Sequence, residues 1–299
     1  MSLIYRFFIG KGGVGKSTLA ALSALYFARK KLRTMLISMD PAHNLSDIFQ
    51  TTHSSKPVSM LPSLYLVEID IPEWTRKYLN GIQKQMQQSY RYLTAVNLEH
   101  HFEVIRHSPS LEEYALLQAF QHYLREEGFY DVMILDMPPT ALTLRFFNLP
   151  RLSLIWLNEL SSLRRHILKR KETILRVKEG SSDSEPDKIQ GNLKRQAQNY
   201  REILKVLCNP DKAGSMLVVN PDELSISEAR RILEELQGLN IPMSYTLINK
   251  SVDSAQVPAI KPAIACRTIP FSHTPLVGTE KLNQFLDKNM DIFNSFLQI

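Results

Sequence analysis

Residues 10–18 read Gly10-Lys11-Gly12-Gly13-Val14-Gly15-Lys16-Ser17-Thr18, a G-x-x-x-x-G-K-[ST] loop set between the apolar run Leu3–Ile9 and the amphipathic stretch Ser17–Lys31. Few patterns constrain a fold so tightly, because the loop works only between a buried strand and the start of a helix. Its glycines let backbone N–H groups turn in around a phosphate, and the following helix aims its positive end at the same place. Lys16 is placed to reach the outer phosphates and the Ser17 hydroxyl to ligate Mg²⁺. A plain glycine-rich turn is the competing reading, and about one chain in a hundred of this length carries the pattern by chance. The strand before it and the helix after it favour a nucleotide site.

The rest of the chain continues the alternation that this loop starts. Leu3–Ile9, Thr34–Met39, Leu64–Ile69, Val132–Leu135, Ser215–Asn220 and Ser244–Asn249 read as short strands buried on both faces, with amphipathic stretches such as Leu111–Glu126 and Ile226–Leu236 between them. Ser110 with Glu113 three residues on forms a capping box ahead of Leu111–Glu126. The expected fold is α/β: a doubly wound, mostly parallel sheet. Two stretches interrupt it, Pro72–His107 and Leu152–Cys208, the second broken by the polar segment 180–187. The expected organisation is one domain over 1–299 with a helical subdomain inserted, formed by about 72–107 and 152–208.

With 44% hydrophobic and 22% charged residues, disordered, collagen-like and disulfide-scaffold chains are excluded, and no apolar run reaches the roughly 18 residues of a membrane span. Two cysteines, Cys208 and Cys266, suit neither a disulfide framework nor a thiolate metal site made by one chain, so a reducing cytoplasm is expected. The net charge of +6 is too mild to imply nucleic acid, which is not expected as a partner. Nearly all of it is local: Arg164, Arg165, Lys169, Arg170, Lys171, Arg176 and Lys178 are opposed there only by Glu172 and Glu179.

Two acids stand at strand ends, on the edge where open α/β sheets bind ligands. Asp40 follows the second strand in Asp40-Pro41-Ala42-His43-Asn44-Leu45-Ser46-Asp47, and Asp136 ends Val132–Leu135 before Met137-Pro138-Pro139-Thr140. Asp136 suits holding Mg²⁺ through a water, and Asp40 suits orienting an attacking water; turn or cap duty is the alternative for either alone. Lys11 is not required by the loop motif. It is either an exposed loop lysine or a second cation for the transferring phosphate, of the kind that a second subunit can supply.

Together these segments resemble a known family. The loop from Lys11 to Thr18 resembles the deviant Walker A motif with its signature lysine. Asp40–Asp47 is similar to the first switch of the arsenite-pump ATPases and of the GET/TRC tail-anchored-protein targeting ATPases. Pro139-Thr140 with Thr143-Leu144-Arg145-Phe146 and Leu149-Pro150 resembles their second switch, and the similarity extends to Asn249, Ile269-Pro270 and Val277-Gly278. The resemblance implies an ATP-hydrolysing homodimer closing over two nucleotides with Mg²⁺. Lys11 would contact phosphates across the dimer, Asp40 would position the water, Asn249 would read the adenine and backbone near Pro270 would lie beside it.

The chain also departs from the pattern. Met137, Pro138, Ala141 and Leu142 replace the Thr, Ala, Gly and His usual in the second switch, and there is no Cys-x-x-Cys, so no zinc is expected. Four uses of hydrolysis follow. A targeting factor would seat an apolar helical client on the stripes Tyr78, Ile82, Met86, Tyr90, Leu93 and Leu152, Leu154, Ile155, Trp156, Leu157, Leu160, Leu163, Ile167, which otherwise are core. The basic segment would then meet anionic lipid headgroups or an acidic receptor, or be a solvated helix face. The others are the ATPase subunit of an anion or metalloid pump, a MinD/ParA-type positioning ATPase, and a nucleotide-gated regulator with little turnover. His100, His101 and His107 with Glu103 lack the spacing of a zincin helix and read as polar surface.

Overall fold

The first strand shows why this chain makes a sheet with helices on both sides. In β1 (Ile4–Ile9) Tyr5, Phe7 and Ile9 enter one hydrophobic cluster and Phe8 enters another on the opposite face, as the pleat of a strand dictates. The arrangement comes from a computed structural model that describes residues 3–42, 44–89, 111–126, 128–179, 187–252, 260 and 264–297. Tyr90, Leu93, Ser110, His43 and the histidines at 100, 101 and 107 lie outside the described residues, as do 90–107 of the expected helical subdomain and the side chain of Met86.

The further strands are β2 (Thr34–Ser38), β3 (Val58–Leu61), β4 (Leu64–Glu68), β5 (Val132–Asp136), β6 (Ala213–Val219), β7 (Met243–Ser251) and β8 (Ala265–Pro270). They form one sheet in the order β3-β4-β2-β5-β1-β6-β7-β8. Every pairing is parallel except β3 with β4. The mostly parallel, doubly wound α/β fold is therefore present. The sequence reading missed β3 and β8, and both are edges. Val58-Ser59-Met60-Leu61 is four residues long and largely exposed, and Ala265–Pro270 mixes polar with apolar positions; neither needs the continuous apolar run of a central strand.

The helices among the described residues are α1 (Lys16–Arg29), α2 (Asn44–Phe49), α3 (Ile71–Ser89), α4 (Leu111–Leu124), α5 (Thr140–Glu179), α6 (Lys188–Leu207), α7 (Glu223–Gly238), α8 (Thr279–Lys288) and α9 (Met290–Phe296). α1, α2, α8 and α9 cover one face, with Leu19, Leu22, Leu25, Leu45, Leu282, Leu286 and Phe293 in its core. α3 to α7 cover the other through Trp74, Phe120, Phe146, Phe147, Ile203 and Leu233. α1 is buried along most of its length, as a helix held between sheet and outer helices must be.

α5 enters the second stretch without a break, running from Thr140 through Pro150 for 40 residues. Proline there removes one intrahelical N–H, but burial of Phe146, Phe147 and Leu149 before it and of Leu157 beyond it holds the helix in place. Arg151 adds to this by donating to the carbonyls of Gly238 and Leu239 at 3.4 and 2.8 Å. Glu113 of α4 is buried, and its carboxylate accepts from Arg145 of α5 at 3.1 Å; the Ser110 end of the expected capping box lies outside the described residues.

α6 runs back beside α5 and is started by Asp187. That carboxylate accepts from Ile189 N and Gln190 N at 3.3 and 3.2 Å and from both arms of Arg164 at 2.9 and 3.0 Å. The Arg164 guanidinium holds the Asp187 carboxyl below the usual carboxylate range. Stability from the charged cap is therefore complete above the ordinary carboxylate value and is lost as pH falls through the lowered native one. Asp187→Ala is expected to lower the melting temperature at pH 7 by about 2–5 °C, with the gap from wild type narrowing below about pH 4. A gap that ignores pH would take the charge out of the explanation.

Candidate functional site

Strand register brings the sequence-predicted residues to one edge. Phe8, Ser38, Glu68 and Asp136 stand abreast across β1, β2, β4 and β5, so the phosphate loop, Asp40 and Asp136 all leave the carboxyl ends of neighbouring strands. β1 has β5 on one side and β6 on the other, and this central point is where such sheets bind ligands.

The loop from Gly10 to Gly15 is held from outside. Lys16 Nζ donates to the Lys11 carbonyl at 3.3 Å, Asn249 Nδ2 to the Val14 carbonyl at 2.7 Å and Lys250 Nζ to the Gly13 carbonyl at 2.8 Å. Among the described residues no backbone N–H of residues 11–15 bonds another backbone group. With the first turn of α1, whose N–H groups have no intrahelical partner, they make a row of donors available to an anion. Gly15 has a φ of 97°, and a Cβ there would strike the Asn249 amide; a Cβ at Gly10 would strike the Val218 carbonyl. Both positions need glycine for space as well as conformation. Ser17 and Thr18 open α1 beside them, half-buried.

Asn249 and Pro270 end β7 and β8 on the same edge. An amide nitrogen carries two hydrogens, so the Val14 bond leaves Asn249 one donor and its carbonyl for a ligand. Pro270 pairs with Ser251, the strand position just past Lys250.

Asp136 is fully buried, and among the described residues neither carboxylate oxygen has a partner at full hydrogen-bonding geometry, the Ser17 hydroxyl being the nearest donor to act on it. Burial pushes its carboxyl up to about 7, opposed by the Ser17 hydroxyl and the Lys16 ammonium and reinforced by Asp40 and Glu68. A buried acid so weakly compensated costs free energy that a cation restores. The fit to Mg²⁺ is good: an oxygen-only set of Ser17 and Asp136 next to a phosphate site suits an ion that keeps several waters. Asp40 is buried, accepts from Ala42 N at 3.1 Å and lies 4.0 Å from Lys16 Nζ. Lys11 is half-exposed, its ammonium 3.5 Å from Glu228 of α7.

Three side chains at the site escaped the sequence reading. Glu68 is buried and accepts from Leu45 N and Ser46 N at 3.1 Å each, with His53 Nδ1 at 2.8 Å, so it anchors the start of α2 within the Asp40–Asp47 segment. An acid inside the apolar run Leu64–Ile69, one residue from its end, is the available signal. Lys250 follows Asn249 with no motif of its own, and in sequence Glu228 is one charge among several on an amphipathic helix.

The larger described cavities do not coincide with this edge, where a small one of about 10 Å³ is lined by Lys11, Val14 and Glu228 among others. One of about 340 Å³ lies between α3, α4 and α6, lined by Trp74, Tyr78, Tyr114 and Tyr200 among others. Chemistry locates the candidate site better than concavity here, because the phosphate loop lies open at the sheet edge with Lys11 and Gly12 exposed. The two apolar stripes also separate. Tyr78 stacks on Tyr114 with centroids 5.3 Å apart, and Ile82 is half-buried. On α5, Leu157 is buried but Leu152, Ile155, Trp156, Leu160, Leu163 and Ile167 are exposed.

The chain matches the family described as anion-transporting ATPase over residues 3–287. It is 26% identical over 298 residues to an Aquifex aeolicus protein whose name makes it the driving ATPase of an arsenical pump, across 93% of this chain and 96% of that one. A second Aquifex protein named in the same way is 27% identical, but the chain spans only 62% of its length. An ATPase ASNA1 homolog of Entamoeba dispar is 25% identical across 81% of this chain and 74% of that protein.

Proposed function

The chain belongs to the anion-transporting ATPase family and is an ATPase, and from that premise we propose that two copies close over two nucleotides and use nucleotide state to hold or release an apolar helical client. The α5 stripe carries this reading. Its six exposed residues, Leu152 to Ile167, show between 43% and 69% of their surface in one line down a helix. Apolar residues scattered singly need no explanation, whereas a contiguous line fits helix-in-groove recognition. Arg165, Lys169 and Arg170 are exposed at its far end and suit anionic headgroups or an acidic receptor, while Arg164 is committed to Asp187. The organisation proposed is one domain over 1–299 with helical parts at about 72–107 and 152–208. In this reading the protein works in the cytoplasm; no helix among the described residues is long and apolar enough to cross a membrane.

Hydrolysis is phosphoryl transfer to water, in which positioning and charge do most of the work. The loop N–H groups from Gly10, Gly12, Gly13, Val14 and Gly15 to Thr18 would cradle the phosphates, and Asn249 with backbone near Pro270 would receive the base. Lys16 offsets charge on the outer phosphates within its subunit, and Lys11 does so across the dimer. Asp40 orients the attacking water. Mg²⁺ supplies neutralisation of phosphate oxygens when bound, with Ser17 and, through water, Asp136 to hold it.

A second reading rests on the relatives named as pump-driving ATPases: this chain would energise an anion or metalloid pump. Arsenite prefers several thiolates, and Cys208 and Cys266 stand apart at the end of α6 and in β8, each against a backbone carbonyl.

The test uses an Asp40→Asn protein with MgATP and a transmembrane-type helical peptide on gel filtration with light scattering. Peptide retained by a dimer and released with ADP is the expected result, and adding Ile155→Glu and Trp156→Glu should abolish retention without dissolving the dimer. A dimer that ignores the peptide would return the stripe to a structural role and favour the pump reading.

A further inference from the structure

Lys11 does not point free into solvent. Its ammonium lies 3.5 Å from Glu228 Oε2, and the other oxygen of that carboxylate accepts from the Thr140 hydroxyl at 3.5 Å. One acid of α7 thus joins the lysine of the phosphate loop to the first residue of α5. The neighbouring acid Asp222 is already spent as the cap of α7, accepting from Ser225 N at 2.8 Å and Ser225 Oγ at 2.7 Å.

We propose that Glu228 is a positioning residue that keeps Lys11 within its own subunit until a partner's nucleotide draws it away. The inference rests on the dimeric reading above, in which Lys11 serves phosphates across the interface. Two features suit the pair to being exchanged. Lys11 and Glu228 are 48% and 34% exposed, so parting them strands no buried charge. A triphosphate with several negative charges outcompetes a single carboxylate for the lysine. Without nucleotide the pair withholds the lysine from a second subunit, so an empty protein has less reason to dimerise. When Lys11 leaves, the carboxylate that also meets Thr140 loses its cation, and the start of α5 senses the change.

The pair is solvated and therefore modest, so its removal should favour assembly by roughly three-fold per subunit and about ten-fold for a symmetric dimer. The experiment compares wild type, Glu228→Gln and Glu228→Asp by light scattering over a protein titration with the magnesium complex of a non-hydrolysable ATP analogue. Thermal melts confirm that each variant is folded. Glu228→Gln is expected to dimerise at about ten-fold lower protein concentration, and Glu228→Asp, which keeps the charge, should return the midpoint toward wild type. A general packing role would not distinguish these two variants by charge. A Glu228→Gln midpoint that is unchanged, or raised, while wild type dimerises would overturn this inference alone. Wild type that binds the analogue yet stays monomeric would overturn the dimeric reading itself, and this inference with it.

Discussion

Asp40→Asn is expected to bind MgATP as wild type does and to lose hydrolysis by about 10²–10⁴-fold, the range for removing a positioned acid–base group. The substitution is close to isosteric, and the amide oxygen still accepts from Ala42 N, so the turn after β2 is preserved. What disappears is the negative charge 4.0 Å from the Lys16 ammonium at the sheet edge. Phosphate release in single-turnover mode, beside nucleotide retention on a filter, separates chemistry from binding. Turnover within a few-fold of wild type would leave Asp40 with its turn contact only.

Asp136→Asn should act on stability and activity in opposite directions. The carboxyl is pushed up to about 7 by complete burial, so the native protein without metal binds a proton that the unfolded chain releases near the ordinary value of about 4. The sign follows from linkage: stability contributed by the neutral acid is present at low pH and is lost as pH rises toward 7. A rise from about 4 to about 7 corresponds to about 4 kcal/mol, an upper figure for what the neutral amide should restore at pH 8 in protein without magnesium. The same change should cost at least about 10²-fold in magnesium-dependent turnover if the acid holds the ion's water. Urea titrations at pH 5 and pH 8 with chelator, next to phosphate release with magnesium, report both effects. A variant less stable than wild type at pH 8 would show that the buried carboxylate has an ionic partner in the native state.

The phosphate loop was legible because its chemistry is local: nine consecutive residues specify the turn, the donors and the helix start. Asp40 and Asp136 were legible because a strand end in an α/β sheet is a position of known meaning. Glu68 and Lys250 were not, since their partners are distant in sequence: Glu68 binds N–H groups at residues 45 and 46, and Lys250 a carbonyl at residue 13. The edge strands β3 and β8 were lost because a strand paired on one side can dispense with a continuous apolar run. The stripes could not be divided by periodicity alone, which gives a helix its apolar face but not what covers it. Packing of α3 on α4 separates Tyr78 from Trp156.

α5 is a single helix of 40 residues, with Thr140 beside Glu228 near the phosphate loop and Ile167 well along its length. At 1.5 Å per residue the two stand about 40 Å apart along the axis, so a tilt of roughly 10° about the Thr140 end would swing Ile167 through about 7 Å. A displacement of that size exceeds the width of a side chain, although the change that starts it is no larger than the swing of one lysine. The helix has the proportions of a pointer pivoted beside the phosphate loop, with the apolar stripe along its moving part.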